Sequence, residues 1–234
     1  GHDVAIHYSQ SADEADATAT EARALGVKAV TIGADLLGED ATGALIGHAV
    51  AGLDRPLTVL VNNASTFDYD NIRSASRQSW DRNIGTNLRA PFVLTQGFAA
   101  QVPKAVQGSD GPLAQGLVVN MLDQRVRKLT PEFMTYTIAK MGLWAFTQTA
   151  ARALAPDIRV NAIGPGSTLK GAHQSQTQFD AQRSASILGR GANAADITAA
   201  LGYFLDAPAV TGQLLCVDGG QHLGWQTPDI LGLK

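Results

Sequence analysis

Short apolar runs rich in β-branched residues alternate along this chain with longer stretches in which small and apolar positions recur at helical spacing. Val4 to Tyr8, Lys28 to Ile32, Leu57 to Val61, Leu117 to Met121, Ile158 to Ile163 and Leu214 to Val217 predict six strands. Helical patterns separate them, which predicts βαβ units and an α/β fold with a parallel sheet. Ser11-Ala12-Asp13-Glu14 has capping-box spacing and predicts a helix that Ser11 caps and Glu14 closes, with Gly26 ending it. Thr130-Pro131-Glu132 predicts the start of a second helix, combining a capping hydroxyl, proline in the first turn and an acid near the positive end of the dipole. Gln101 to Gln115 reads as a surface excursion. The polar stretch Lys170 to Ser186 follows the C-terminal end of a strand, where open α/β sheets build ligand crevices, and predicts a mobile substrate lid.

At 234 residues and 45% hydrophobic content, the chain can bury one substantial core, and no repeat or linker divides it. One domain, 1–234, is expected. The net charge of −3, with scattered Lys and Arg, argues against nucleic acid as a partner. No apolar run approaches the ~18 residues of a membrane span, and no secretory segment opens the chain, so a cytoplasmic protein without membrane association is expected. The single cysteine, Cys216, lies in Leu214-Leu215-Cys216-Val217 and is expected as a buried strand residue. His7, His48, His173 and His222 lack metal-ligand spacing, and no metal is expected.

The candidate chemistry is concentrated in Tyr136-Thr137-Ile138-Ala139-Lys140. A phenol and an ammonium four residues apart share one helix face, and the ammonium is expected to lower the phenol's pKa toward a working range. That pentapeptide alone is weak, since the spacing also occurs on ordinary solvated faces. Its surroundings sharpen it. Asn62-Asn63-Ala64 follows a strand, Asn87 lies in Asn87-Leu88-Arg89-Ala90-Pro91-Phe92, Arg159-Val160-Asn161-Ala162-Ile163-Gly164-Pro165-Gly166 follows the Tyr-Lys helix, and Val217-Asp218-Gly219-Gly220 completes the series.

In this order and spacing the motifs resemble the short-chain dehydrogenase/reductase family over nearly the whole chain. The resemblance implies a Rossmann-type doubly wound sheet, a nicotinamide cofactor and a catalytic set in which Asn87 holds a water linked to Lys140, Lys140 binds the nicotinamide ribose and Tyr136 transfers the proton. The family's serine, thirteen positions before the tyrosine, is here Asp123. That departure resembles the pteridine reductase branch, as do Asn62-Asn63-Ala64-Ser65-Thr66-Phe67, whose phenylalanine would stack on a pterin opposite the nicotinamide, and His7-Tyr8-Ser9-Gln10-Ser11. A flat heteroaromatic ring gains from lying between two π faces in a site that excludes water. What the resemblance implies is an NADPH-dependent reductase of a dihydropterin such as dihydromonapterin, dihydrobiopterin or dihydrofolate. Ser65, Phe67, Asp123 and Tyr136 would contact that substrate. His7, Tyr8, Ser11, Asp35, Leu36, Asn63, Ala64, Ser65, Pro165, Gly166 and Ser167 would line the cofactor beside Tyr136 and Lys140. A homotetramer is implied by the same resemblance.

The preference for NADPH rests on the absence of an acid between the end of the Val4 to Tyr8 strand and Asp13, leaving Ser11 and its helix N-terminus to receive a 2′-phosphate. Gln10, where an arginine is expected, leaves that pocket one positive charge short. Several readings stay open: Asp35 binds the adenine amino group or caps the next helix, Phe67 is a platform or a packing residue, and Asp123 is a catalytic group or a turn residue. Rival functions are reduction of a carbonyl, such as a 3-oxoacyl thioester or ketone, and nucleotide binding without turnover. No glycine-rich turn precedes Gly1, so about two dozen residues, within the ~30-residue size of a βαβ unit, are expected upstream, and without them a gap in the sheet.

Overall fold

Residues 1–171 and 174–225 are described by the computed structural model. All six predicted strands form, and each is followed by a helix or a site-forming turn. The first half runs β1 (Val4–Tyr8), α1 (Ala12–Ala24), β2 (Ala29–Gly33), α2 (Glu39–Leu53), β3 (Val59–Asn62), α3 (Arg77–Ile84), a π-helical turn at Gly85–Arg89 and α4 (Ala90–Gln101). Then come β4 (Val106–Gly108), β5 (Gly111–Leu113), β6 (Gly116–Met121), a 3₁₀ turn at Gln124–Val126 and α5 (Met134–Ala153). The second half closes with β7 (Ile158–Pro165), α6 (Gln176–Ser184), α7 (Ala194–Asp206), β8 (Leu214–Val217) and a 3₁₀ turn at Gln221–Leu223.

The principal sheet is parallel, in the order β3-β6-β7-β8, and β1 pairs with β2 in a separate parallel ladder. Among the described residues no hydrogen bond joins the two sheets. A cleft of about 690 Å³ separates them, lined by Val4, Ala5, Leu45, Ile46, Val59 and Leu60. The core follows strand periodicity. Val118 of β6 packs with Leu94, Phe98 and Val160 on the α2–α4 side, whereas Leu117 and Val119 pack with Ile163 and Phe204 under α7. Both faces of β6 are therefore apolar, as a central parallel strand requires. Asn120 interrupts that run and is satisfied internally, accepting from Asn62 Nδ2 (2.8 Å) and donating to Thr147 Oγ1 (2.9 Å).

Several expectations are corrected. Ser11 stands at the N-cap of α1 but makes no side-chain cap bond, because its backbone (φ −90°, ψ 63°) is not the extended conformation that brings a hydroxyl onto the first turn. Gly26 does end α1, at φ +82°. The second helix begins at Met134 rather than Thr130, since Phe133 is left-handed (φ 54°, ψ 49°) and breaks the turn. Thr130 Oγ1 instead accepts from Arg125 Nη1 (2.7 Å). The excursion 101–115 contains the antiparallel hairpin β4–β5, turning at Ser109-Asp110. Cys216 is half-buried because β8 is an edge strand, and burial raises its thiol pKa. The 170–186 stretch carries α6, closed by a capping box between Ser175 and Gln178 and burying no side chain. His173 and Ala172 lie outside the described residues. Among those described, no helix is long and apolar enough to cross a membrane, and no three His, Cys, Asp or Glu side chains cluster to hold a metal.

Candidate active site

Strand β6 ends at Met121, and the two residues that follow turn its C-terminal edge into the floor of a site. Asp123 is extended (φ −151°), and its Oδ1 accepts from Arg125 N (2.7 Å), starting the 3₁₀ turn. Its Oδ2 accepts from Tyr136 Oη at 3.0 Å. The buried face of α5 runs Tyr136, Ala139, Lys140, Leu143, Thr147 and Ala150 at helical spacing, which lays α5 against the sheet with the phenol and the ammonium one turn apart. Lys140 is 2% exposed, and its Nζ donates to Met121 O at 2.7 Å. Asp123, Tyr136 and Lys140, separate in the sequence, are thus brought together at one strand end.

Burial lifts the Asp123 carboxyl above the ordinary carboxylate range, against the opposing pull of its Arg125, Tyr136 and Lys140 contacts. The Tyr136 phenol is raised well above its ordinary value by burial first and then by the Asp123 charge. This corrects the expected lowering by Lys140: the ammonium is turned to Met121 O, 5.6 Å from the phenol ring centroid, while the carboxylate lies against the hydroxyl. A phenol so placed remains protonated and is a proton donor. Lys140 is lowered by burial to about 8, partly countered by Asp123.

From this follows a stability prediction. The folded chain releases the Lys140 proton near pH 8 and the unfolded chain near 10.5, so between those values the unfolded state binds more protons and this residue adds stability as pH rises. The Tm advantage of Lys140→Met over the wild type should be largest at neutral pH and narrow toward pH 10. A gap that is constant with pH would show that the ammonium is not desolvated.

Phe67 is half-exposed, stacked on Phe133 (centroids 4.2 Å apart, 5° between planes) and edge-on to Tyr136 (4.7 Å, 80°). The Arg125 guanidinium lies 4.8 Å from the Phe133 centroid and 5.8 Å from that of Phe67. Phe133 and Arg125 were not singled out in the sequence. An aromatic residue placed immediately before the Tyr-Lys helix was the available signal. Asn87 sits on the π-helical turn, with its side chain committed to the loop after β3: Nδ2 donates to Thr66 O (3.0 Å) and Thr66 Oγ1 (3.1 Å), and Oδ1 accepts from Ser65 Oγ (2.6 Å). The side chain thus ties the π-helical turn to the Ser65–Thr66 loop.

The remaining predicted residues line strand ends. His7, Leu36, Asn63 and Ala64 border the cleft between β1 and β3, and His7 Nε2 lies 2.9 Å from Ala34 O. Tyr8 packs over Gly33, where a Cβ would come within 3.0 Å of the ring. Asp35 does not cap α2, whose N-cap is Gly38; its Oδ1 accepts from Leu37 N (3.0 Å) in a local turn. Pro165, Gly166 and Ser167 close β7, and Ser167 Oγ donates to Gln182 Oε1 of α6 (3.1 Å), tying that helix to the strand end. Asp218 accepts from Gly220 N (2.9 Å) and His222 N (2.8 Å) and is a turn former.

Residues 1–222 match the family model described as enoyl-(acyl carrier protein) reductase. The crystal structure of FolM alternative dihydrofolate reductase 1 from Brucella suis in complex with NADP superimposes with a TM-score of 0.90 at 39% identity, over 97% of this chain and 88% of that one. An uncharacterized oxidoreductase of Mycobacterium tuberculosis is 35% identical over 98% of this chain and 88% of its own length. The 3-oxoacyl-(acyl-carrier-protein) reductase FabG of Staphylococcus epidermidis is 29% identical, covering 95% and 90%. Fold, strand-end site and relatives together define an α/β oxidoreductase. The chain belongs to the short-chain dehydrogenase/reductase family.

Proposed function

We propose that this protein uses NADPH to reduce a dihydropterin to its tetrahydro form. The observation that carries this reading is Asp123, hydrogen-bonded to Tyr136 at 3.0 Å in the register of the family's serine and beside the Phe67 ring. The Brucella suis FolM complex, an alternative dihydrofolate reductase with NADP, supports both substrate and cofactor. NADPH fits the residues present: the buried Lys140 ammonium makes one protein hydrogen bond and has two further N–H groups for ribose hydroxyls, and the first turn of α1 has no side-chain cap. Asp13 and Glu14 in that turn, with Gln10 before it, weaken the pull on a 2′-phosphate, and selectivity over NADH is expected to be modest.

Bound NADPH would supply hydride to the carbon of a pterin C=N bond. Tyr136 then gives its proton to the neighbouring ring nitrogen, and the Asp123 carboxyl hydrogen-bonded to it, whose pKa burial raises, is the group through which that proton is replaced. Lys140 orients the ribose. Ser65 and Phe67 position the pterin, with the ring of Phe67 held from behind by Phe133. His7, Tyr8, Ser11, Asp35, Leu36, Asn63, Ala64, Pro165, Gly166 and Ser167 form the remaining cofactor wall. The proposed assembly is a cytoplasmic homotetramer, which light scattering checks.

A carbonyl substrate is the second reading, favoured by the likeness to FabG. Against it, a carboxylate poorly replaces the hydroxyl that donates to a carbonyl oxygen. NADPH oxidation across dihydropterins and simple ketones separates the two: turnover of ketones without any dihydropterin overturns our reading. Phe67→Ala should raise KM for a dihydropterin about tenfold, the size of a lost aromatic stack, with NADPH affinity unchanged. An unaltered KM would return Phe67 to a packing role.

A further inference from the structure

Among the described residues outside the Asp123–Tyr136–Lys140 cluster, two carboxylates are buried: Asp218, which forms a turn, and Asp70. Asp70 ends the loop that carries Ser65 and Phe67 and is 2% exposed. Its Oδ2 accepts from Thr135 Oγ1 (2.5 Å), its Oδ1 from Thr135 N (3.1 Å) and its carbonyl from Met134 N (3.3 Å). Asp70 thereby caps α5 from 65 positions away, in place of Phe133, whose left-handed backbone offers no cap. Burial works to raise its pKa, but the hydrogen bonds from Thr135, Ser79 and Met134 together outweigh that and the net shift is downward, so the carboxylate is ionised at neutral pH.

An ionised carboxylate only accepts, and this fixes the direction of every hydrogen bond beyond it. The Thr135 proton goes to Asp70, so its lone pairs receive Asn83 Nδ2 (2.8 Å). Asn83 Oδ1 then faces Thr66 Oγ1 (3.1 Å), whose lone pairs receive Asn87 Nδ2 (3.1 Å), and Asn87 Oδ1 receives Ser65 Oγ (2.6 Å). The Thr66 carbonyl, which cannot donate, takes Asn87 Nδ2 (3.0 Å) and favours the same order, so the two ends of the line reinforce one another. The proton of Ser65 goes to Asn87 Oδ1, with the Thr66 carbonyl 3.3 Å away as a weaker second acceptor, and its hydroxyl, within hydrogen-bonding reach of Tyr136, faces the site as an acceptor.

We infer that Asp70 is a positioning residue: through Thr135, Asn83, Thr66 and Asn87 it locks the Ser65–Phe67 loop to the Tyr136 helix and makes Ser65 a hydrogen-bond acceptor toward the ligand, selecting a ligand edge that carries an N–H or amino donor. This deepens the dihydropterin reading and rests on it for the identity of that donor. In Asp70→Asn the amide can donate to Thr135 Oγ1, which removes the acceptor-only end of the line.

Two measurements test it. Amide hydrogen exchange of the ligand-free protein should show faster exchange at 65–67 and at 134–137 in Asp70→Asn and in Thr135→Val, with β6 and β7 unchanged; uniform acceleration or none overturns the locking. With 7,8-dihydrobiopterin, Asp70→Asn should raise KM about tenfold with a smaller fall in kcat and an unchanged NADPH dissociation constant. In a Ser65→Ala background the same substitution should add little, although Asp70 and Ser65 do not touch. Additive effects on KM overturn the link to Ser65. Local exchange changes in a protein that reduces no dihydropterin would sink the substrate reading and leave the locking standing.

Discussion

Tyr136→Phe is expected to lower kcat for dihydropterin reduction by roughly 10²- to 10⁴-fold, the usual contribution of a positioned proton donor, while NADPH binds as before. The phenyl ring keeps the buried surface of α5 and the edge contact to Phe67, so only the proton and the bond to Asp123 are lost. At about 1.4 kcal/mol per factor of ten, the loss corresponds to roughly 3–6 kcal/mol of transition-state stabilisation. Steady-state NADPH oxidation together with a cofactor titration checks this. A variant that turns over at the wild-type rate would remove Tyr136 from the proton-transfer step, and absence of turnover in the wild type itself would restore the idea of a nucleotide-binding protein without catalysis.

Asp123→Asn is the second large effect. The amide keeps the acceptor for Arg125 N and the shape of the site but cannot pass a proton to Tyr136. We expect kcat to fall by about 10²-fold on dihydropterins. The sign of the pH dependence follows from burial, which raises the Asp123 pKa. Its proton is present below that raised value and lost above it, so wild-type kcat should decline through a carboxyl limb displaced upward from 3.8, and Asp123→Asn should lack that limb. Stability should move the other way. A carboxyl whose folded pKa exceeds its unfolded value loses stability as pH rises through the folded value, so the neutral amide should not lower, and is expected to raise, Tm at pH 7. Unchanged turnover in Asp123→Asn would make Asp123 a turn residue and move the reading toward carbonyl substrates.

Strands were legible because each is a β-branched run bounded by polar or glycine punctuation, and β8 matched its predicted bounds. Tyr136 and Lys140 were legible because a four-residue spacing on a helix is a local property. The partnership of Asp123 with Tyr136 was visible through the resemblance alone, since nothing local says that a residue thirteen positions earlier lies under the ring. Asp70 escaped notice because its value comes from Thr135, which only the packing of α3 and its loop against α5 brings near. The cap assigned to Ser11 and the helix start assigned to Thr130 failed for one reason: both depend on backbone angles that composition does not encode, and the left-handed Phe133 overrode a favourable Thr-Pro-Glu signal.

The bond from Lys140 Nζ to Met121 O ties the helix to the last residue of β6 without using any atom of position 123. The mount that holds the catalytic helix is therefore separate from the group at position 123. A change of side chain there would alter the bonds to Tyr136 and Arg125 N and leave the tie between helix and strand in place.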